Sequence, residues 1–343
     1  MRRAETGGAL PGTMAEMNWF ERLMGFAERS PEQVRASIRR DGEVLVSTVN
    51  GRKVRCGRLA TPSLAELRRE VGTVRAEQPA RVTEVIGDVG QLHRDPRSAG
   101  ALFQAASQFN LLEMTGPSVT PERGVGGYEF DHTQGPSCAI ACGGGTIFRN
   151  YFAPVGDQLG QTAQRQIDCL ADLGVALGGP GLWEMRNGYA LASAAGLAQI
   201  NARLAAASEP ERDALRGLLR VGVQHDVEVV ATDHVVTQVY GSAMPVAYGR
   251  PPAHLWEPIA RLVLEASYEA TILVARQRRI TTLFLTLLGG GVFGNDEGWI
   301  GDGLVRALAL AGGLDVRLVS YGSAKPIVAR ILRAHAAGRA TVG

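Results

Sequence analysis

The stretch Ile280–Asn295, ITTLFLTLLGGGVFGN, narrows the possible folds more than any other part of this chain. A continuous run of β-branched and apolar residues reads as a strand buried on both faces, the kind found inside a parallel sheet. The run stops at three glycines. Glycines at the carboxyl end of such a strand let the backbone turn sharply and bring bare N–H groups close to a ligand. Trp299–Ala311 has helical spacing, so the loop sits where strand passes into helix. Open α/β sheets bind phosphates at that junction, and a phosphate-bearing ligand is the first expectation.

The rest of the chain supports the same architecture. From Arg81 onward, strands and helices alternate: Arg81–Asp88 reads as a strand, Ala99–Ser107 as a helix and Gln108–Met114 as a strand. A long Gly/Pro/Thr loop follows to Gly135, then a helix to about Tyr151, with further helices in Gln161–Leu173 and Gly196–Val221. Val227–Thr232 and Val235–Val246 are expected strands and Trp256–Gln277 a long helix. Ile280–Leu288, Trp299–Ala311, Asp315–Tyr321 and Lys325–Ala336 then give strand, helix, strand, helix. Such alternation predicts a mostly parallel sheet with helices on both faces. Upstream, Asn18–Arg40 has helical spacing, Asn50-Gly51 between Leu45–Val49 and Lys53–Leu59 predicts a type I′ hairpin, and Pro62–Val71 a short helix. The expected division is a loose tail over 1–17 (with Met14 or Met17 as alternative starts), a helical and hairpin accessory segment over 18–80, and one α/β domain over 81–343.

Bulk properties exclude several classes. The chain has 343 residues, 45% of them hydrophobic, enough for one large domain or two modest ones. With 20% charged residues and a net charge of +2, it carries no electrostatic footprint for nucleic acid. No apolar run reaches the length a bilayer requires and no secretory signal precedes the domain, so a cytoplasmic protein is expected. Cys56, Cys138, Cys142 and Cys169 form no C-x-x-C pair and read as small packed residues. His225 and His234, with Asp226 and Asp233, are too widely spaced to mark a metal site. No Ser-His-Asp order, G-x-S-x-G elbow or H-E-x-x-H is present, against the common hydrolase and zinc-protease schemes.

Gly289, Gly291 and Gly294 satisfy the dinucleotide fingerprint G-x-G-x-x-G after a strand and before a helix. That fingerprint wants an acidic residue at the end of the next strand. Here Asp315 precedes that strand and Tyr321-Gly322-Ser323 follows it. Phe293, a bulky apolar residue inside the loop, would be costly in water unless it covers something such as a sugar or adenine face. The densest polar cluster is Gln108–Tyr151, whose loop is too long for a plain connection. Asn110 and Glu113 lie at the ligand-facing edge of the expected strand. Tyr128, Glu129, Asp131, His132, Thr133 and Gln134 arrive together before a helix that Gly135-Pro136 would start. Thr133 or Asp131 would cap that helix, leaving N–H groups that attract an anion. Arg149 and Asn150 either close the helix or grip phosphate.

These residues carry a family resemblance. LLGGGVFGND, after a helix ending YEATILVARQRRI, resembles the phosphate loop of macrodomain proteins of the microbial poly(ADP-ribose) glycohydrolase type. VIGDVGQLH resembles the early macrodomain strand whose aspartate contacts adenine, here Asp88. AASQFNLLEM stands where an asparagine faces the distal ribose, here Asn110. DHTQGPSCA stands where the glycohydrolases carry a glutamine, here Gln134, followed by paired glutamates. This chain has Gly135 and Pro136 at those two positions, and its Gly143–Gly145 comes too late to match the family's triple glycine.

The resemblance implies a macrodomain-like three-layer α/β/α sandwich binding ADP-ribose or a related NAD-derived ligand, free or on a macromolecule. Nucleic acid would be a partner only as the modified substrate. The amides of Gly289, Gly290, Gly291, Val292, Phe293 and Gly294, with Asn295, would hold the pyrophosphate; Asp88 would hold adenine, and Asn110 and Gln134 the ribose. Hydrolysis at the distal anomeric carbon needs a carboxyl group to protonate the leaving atom or orient water. Asp131 is the first candidate, with Glu113 and Glu129 behind it; no cofactor or metal is required. The alternatives are a non-catalytic reader of ADP-ribose using the same cleft, and an NAD-dependent oxidoreductase.

Overall fold

Leu283, Phe284 and Leu285 are each almost completely buried, and their strand has a neighbour on both sides. The computed structural model describes residues 17–73 and 78–342; the expected tail, apart from Met17, lies outside them. Seven strands make the main sheet: β1 (Arg58–Ala60), β2 (Arg81–Ile86), β3 (Leu102–Ala106), β4 (Gly222–Glu228), β5 (Val235–Gly241), β6 (Thr282–Leu285) and β7 (Asp315–Ser320). Their order is β1-β4-β5-β3-β6-β7-β2. The run from β5 to β2 is parallel throughout, and β4 and β1 add to one edge in antiparallel fashion. Helices Leu64–Val71, Ala253–Gln277 and Glu297–Leu308 pack together on one face, and Val89–Arg94, Gln134–Ala141 and Gly143–Tyr151 on the other. The mostly parallel three-layer α/β/α architecture is therefore as expected.

Several elements differ from the sequence reading; the strand expected at Val227–Thr232 forms earlier in the chain, as β4. Ala99–Ser107, expected as a helix, contains β3, and Gln108–Met114, expected as a strand, is an irregular turn. Alanine-rich composition favours helix, but β3 lies between two partners and nearly every residue in it is buried. Phe103 stacks on Phe284 of the next strand at 4.3 Å, within 1° of parallel. The following turn is closed by one side chain: Gln108 accepts from the Met114 amide at 2.7 Å and donates to the Met114 carbonyl at 3.2 Å. The helix expected within Gln161–Leu173 forms only at Ala171–Leu177.

The accessory segment is woven into the domain. Val44–Ser47 and Lys53–Arg55 pair as expected, but through a longer turn than type I′, Asn50 not being at positive φ, and the second run then breaks and continues as β1, an edge strand of the main sheet. A boundary at residue 81 therefore cuts through the sheet. Gly57 makes the break possible: its φ is +67°, and a Cβ there would sit 2.0 Å from the His225 carbonyl oxygen.

Replacing Phe284 with alanine removes the stack at the sheet centre. The expected cost is about 3–5 kcal/mol, read as a lower urea midpoint with an unchanged slope; a shift near zero would mean that the core does not depend on this layer.

Candidate functional site

The carboxyl ends of β3, β6 and β7 open into one cleft of ≈ 550 Å³. The sequence places it there because every parallel strand delivers its following loop to the same edge. Its lining comes from three places: Thr286–Phe293, Glu113–Thr115 with Asp131–Gly135, and the two tyrosines Tyr189 and Tyr248.

The glycine loop is shaped by two glycines and a staple. Gly289 (φ +74°) and Gly294 (φ +69°) adopt left-handed backbone, and Cβ atoms there would lie 2.4 Å and 2.9 Å from the Cβ atoms of Ala243 and Ala247. Asn295 turns inward: its Nδ2 donates to the carbonyls of Met244 (2.8 Å) and Gly289 (3.3 Å). It is therefore a buried tie of the loop rather than a cleft-facing side chain. Gly290, Gly294 and Asn295 spend their amides on Leu287, Gly291 and Gly289. Among the described residues, the amides of Gly289, Gly291, Val292 and Phe293 meet no protein acceptor. Gly290, Gly291 and Val292 are exposed. Successive free N–H groups of this kind form an anion-binding concavity. Phe293 is buried, its ring 5.3 Å from Tyr189 and 5.7 Å from Tyr248, and it still lines the cleft.

Glu113 is a buried polar group of this lining. It is 7% exposed, and its Oε1 has no hydrogen-bond partner. Burial first, then the negative charge of Asp131, hold its pKa well above the ordinary carboxylate range, against a downward pull from Arg149. A Cβ on Gly135 would lie 2.6 Å from Glu113 Oε2. The carboxyl thus fills the space a side chain at position 135 would take, and only glycine leaves it room. Asp131 lines the same cleft, half-buried, its Oδ1 accepting from the Thr133 amide at 2.9 Å. His132 is exposed at the mouth.

Other expected residues do not come together with these. Glu129 pairs with Arg22 at 3.1 Å outside the cleft lining, so a carboxylate held there cannot reach a ligand in the cleft. Asp88 caps Val89–Arg94, accepting from the Gln91 amide (3.0 Å), and stands behind the cleft wall beside Gln134 and Ser137. Gln134 does line the cleft, although its Oε1 already accepts from the Val89 amide at 2.9 Å. Asn110 is fully buried behind the wall, bonded to Gln166 and the Leu112 amide; Gln108 occupies the cleft side of that turn. Arg149 is sealed in the core, bonded to the Leu111 carbonyl, Gln224 and Thr146 with its guanidinium 3.7 Å from the Tyr240 ring, too deep to grip phosphate. The four cysteines are buried and free. Among the described residues, no cluster could hold a metal ion and no helix is long and apolar enough to cross a membrane.

Sequence reasoning missed Tyr189, Tyr248, Thr286, Tyr321 and Lys325, all in the lining. A signal existed for Tyr189. Asn187-Gly188, both at positive φ, turn the hairpin Trp183–Arg186/Tyr189–Ala192, the two-residue turn that was expected instead at residues 50–51.

No family model matches the chain, and no curated protein matches its sequence. Among solved structures, the poly(ADP-ribose) glycohydrolase of Deinococcus radiodurans in complex with ADP-ribose aligns over 82% of this chain and 94% of its own, at 16% identity and a TM-score of 0.43. The enzyme of Thermomonospora curvata aligns over 89% and 95%, at 15% identity and 0.44. The same enzyme bound to the inhibitor ADP-HPD aligns over 88% and 95%, at 15% identity and 0.41. At such identities and scores, the chemistry of the cleft rests on its own residues.

Glu113 yields a stability prediction. A folded-state pKa raised above the unfolded value means that the folded protein holds a proton the unfolded chain has released, so stability falls as pH rises between the two values. Glu113→Gln removes this penalty. Urea melts should show the variant gaining on the parent as pH rises from 4 to 8; a constant difference would mean that Glu113 is ionised in the fold.

Proposed function

We propose that this protein binds ADP-ribose in the cleft and hydrolyses an ADP-ribosyl glycosidic bond there. One observation carries the reading: a single cavity is lined both by a loop with four main-chain amides that meet no acceptor among the described residues and by a buried carboxyl group with an unpartnered oxygen. Donors fixed in the backbone suit a diphosphate, and a cavity of ≈ 550 Å³ lies within the range of small-molecule sites, roughly 300–1,000 Å³. Phe293, Tyr189 and Tyr248 offer apolar faces to a sugar ring. The family resemblance stated from the sequence points to the same ligand.

In this scheme the diphosphate sits on Gly289–Phe293 and the distal ribose lies between the aromatic trio and Glu113. Glu113, kept neutral by its surroundings, protonates the leaving atom as the anomeric bond breaks. Asp131, at the mouth, orients the water whose oxygen bonds to the anomeric carbon and takes its proton. The paired glutamates absent after Gln134 are replaced by one carboxyl reaching into the same space from the preceding turn. Gly135 and Pro136 also leave a second reading: a reader of ADP-ribosylated macromolecules that uses the same loop and has no turnover.

Release of ADP-ribose from an ADP-ribosylated peptide or polymer separates the two. The enzyme reading expects Glu113→Gln and Asp131→Ala each to lower kcat by roughly 10²–10⁴-fold while ADP-ribose still binds. Rate should fall as pH rises through the elevated pKa of Glu113, because the protonated form is the working one. Binding by a wild-type protein that never turns over would establish the reader. Gly291→Asp, which adds a negative charge in open space beside the free amides, should weaken ADP-ribose binding more than tenfold with an unchanged melting temperature.

A further inference from the structure

The stretch Asn18–Glu28 matches no part of the family resemblance, yet it grips the loop that leads to Asp131. Asn18 caps the helix Trp19–Met24, which ends at Gly25 and brings Glu28 beneath the turn of residues 124–126. The Glu28 carboxylate accepts from the amides of Val125 (2.9 Å) and Gly126 (2.6 Å) and from the Tyr151 hydroxyl (2.6 Å). A carboxylate taking backbone N–H groups makes charge-assisted bonds. Side chains at Gly124 and Gly126 would strike Glu28, at 2.4 Å and 3.0 Å. Trp19 Nε1 donates to the Val125 carbonyl at 2.9 Å, and Arg22 holds Glu129. Beyond the grip, the same turn supports both cleft carboxyls: the Tyr128 hydroxyl accepts from the Glu113 amide at 3.0 Å, and the Asp131 amide donates to the Tyr128 carbonyl at 3.1 Å.

We propose that Asn18–Glu28 is a brace that sets the positions of Glu113 and Asp131 through the turn Val125–Asp131, with Glu28 as the positioning residue. This rests on the hydrolase reading for its catalytic consequence and on the hydrogen bonds alone for its mechanical one. Glu28 is absent from the cleft lining, so it acts through the turn and not on a ligand. Burying a carboxylate there is costly: desolvation raises its pKa, and the bonds from Tyr151, Val125 and Gly126 offset that rise in part. The two backbone donors of Val125 and Gly126 need an acceptor, which the Glu28 carboxyl group supplies.

The test is Glu28→Gln in the full chain, which keeps the volume but removes the charge, leaving one amide oxygen for the two N–H donors and an NH₂ group beside the Tyr151 hydroxyl. Hydrogen exchange at Val125–Asp131 should quicken at least tenfold with the sheet amides unchanged. Turnover should show kcat down at least tenfold, with ADP-ribose affinity within threefold. Trp19→Phe, which removes only the indole donor, should move the same quantities less and serves where Glu28→Gln does not fold. Unchanged exchange overturns the brace, as does faster exchange with unchanged kcat. A parallel fall in melting temperature, affinity and kcat also overturns it, since a merely structural residue would give that result. If the wild-type protein shows no turnover, the hydrolase reading fails by itself and the exchange data alone judge the brace.

Discussion

A parallel strand buried in the middle of a sheet has to release its chain at one edge, and here the release is a loop in which four amides meet no acceptor among the described residues. That constraint organises the rest of the site. β6 ends between β3 and β7, so its loop opens beside theirs, and Asn295 holds it in place by turning away from the cleft. Among the described residues, four N–H groups then stand without acceptors where a backbone donor is ordinarily satisfied. Glycines at the two left-handed positions and the inner tie of Asn295 hold that loop in shape, and the proposed anion would take its free amides.

The second half of the site is a carboxyl held out of water. Glu113 comes from an irregular turn fixed by Gln108 and reaches the space that glycine leaves free at position 135. A cleft lined by free loop amides and by a buried acid whose pKa is raised offers the two things the proposed hydrolysis asks of a protein: an anchor for the charged part of the ligand and a proton for the leaving atom. The aromatic trio lies between them.

Much of this was legible in the sequence, for physical reasons. The apolar and β-branched run Ile280–Leu288 announced a buried strand, which forms over its middle at Thr282–Leu285, and the glycines after it announced the turn. The alternation after Arg81 was enough for a mostly parallel sheet. Ala99–Met114 was misread because alanine reports local helix preference, whereas β3 is decided by two neighbours far away in the chain. Asn110 looked ligand-facing only while its turn was taken for a strand. Glu129 and Asp88 looked available because a sequence does not show a carboxylate's partners; Arg22 and the start of a helix claim them. Glu113 was among the candidates, but its burial, which makes it the acid of the scheme, depends on Gly135 and Tyr128 packing around it. Asn18–Glu28 carried no motif because a brace needs only shape and a few hydrogen bonds.

The central claim is that free amides of one loop hold a diphosphate, and amide NMR reads those atoms directly. On titration with ADP-ribose, the resonances of Gly289, Gly291, Val292 and Phe293 should shift downfield in step and saturate together, while the Asn295 amide, already bonded within the loop, moves little. Saturable shifts elsewhere with these four unmoved, or no shifts at all, would contradict the account.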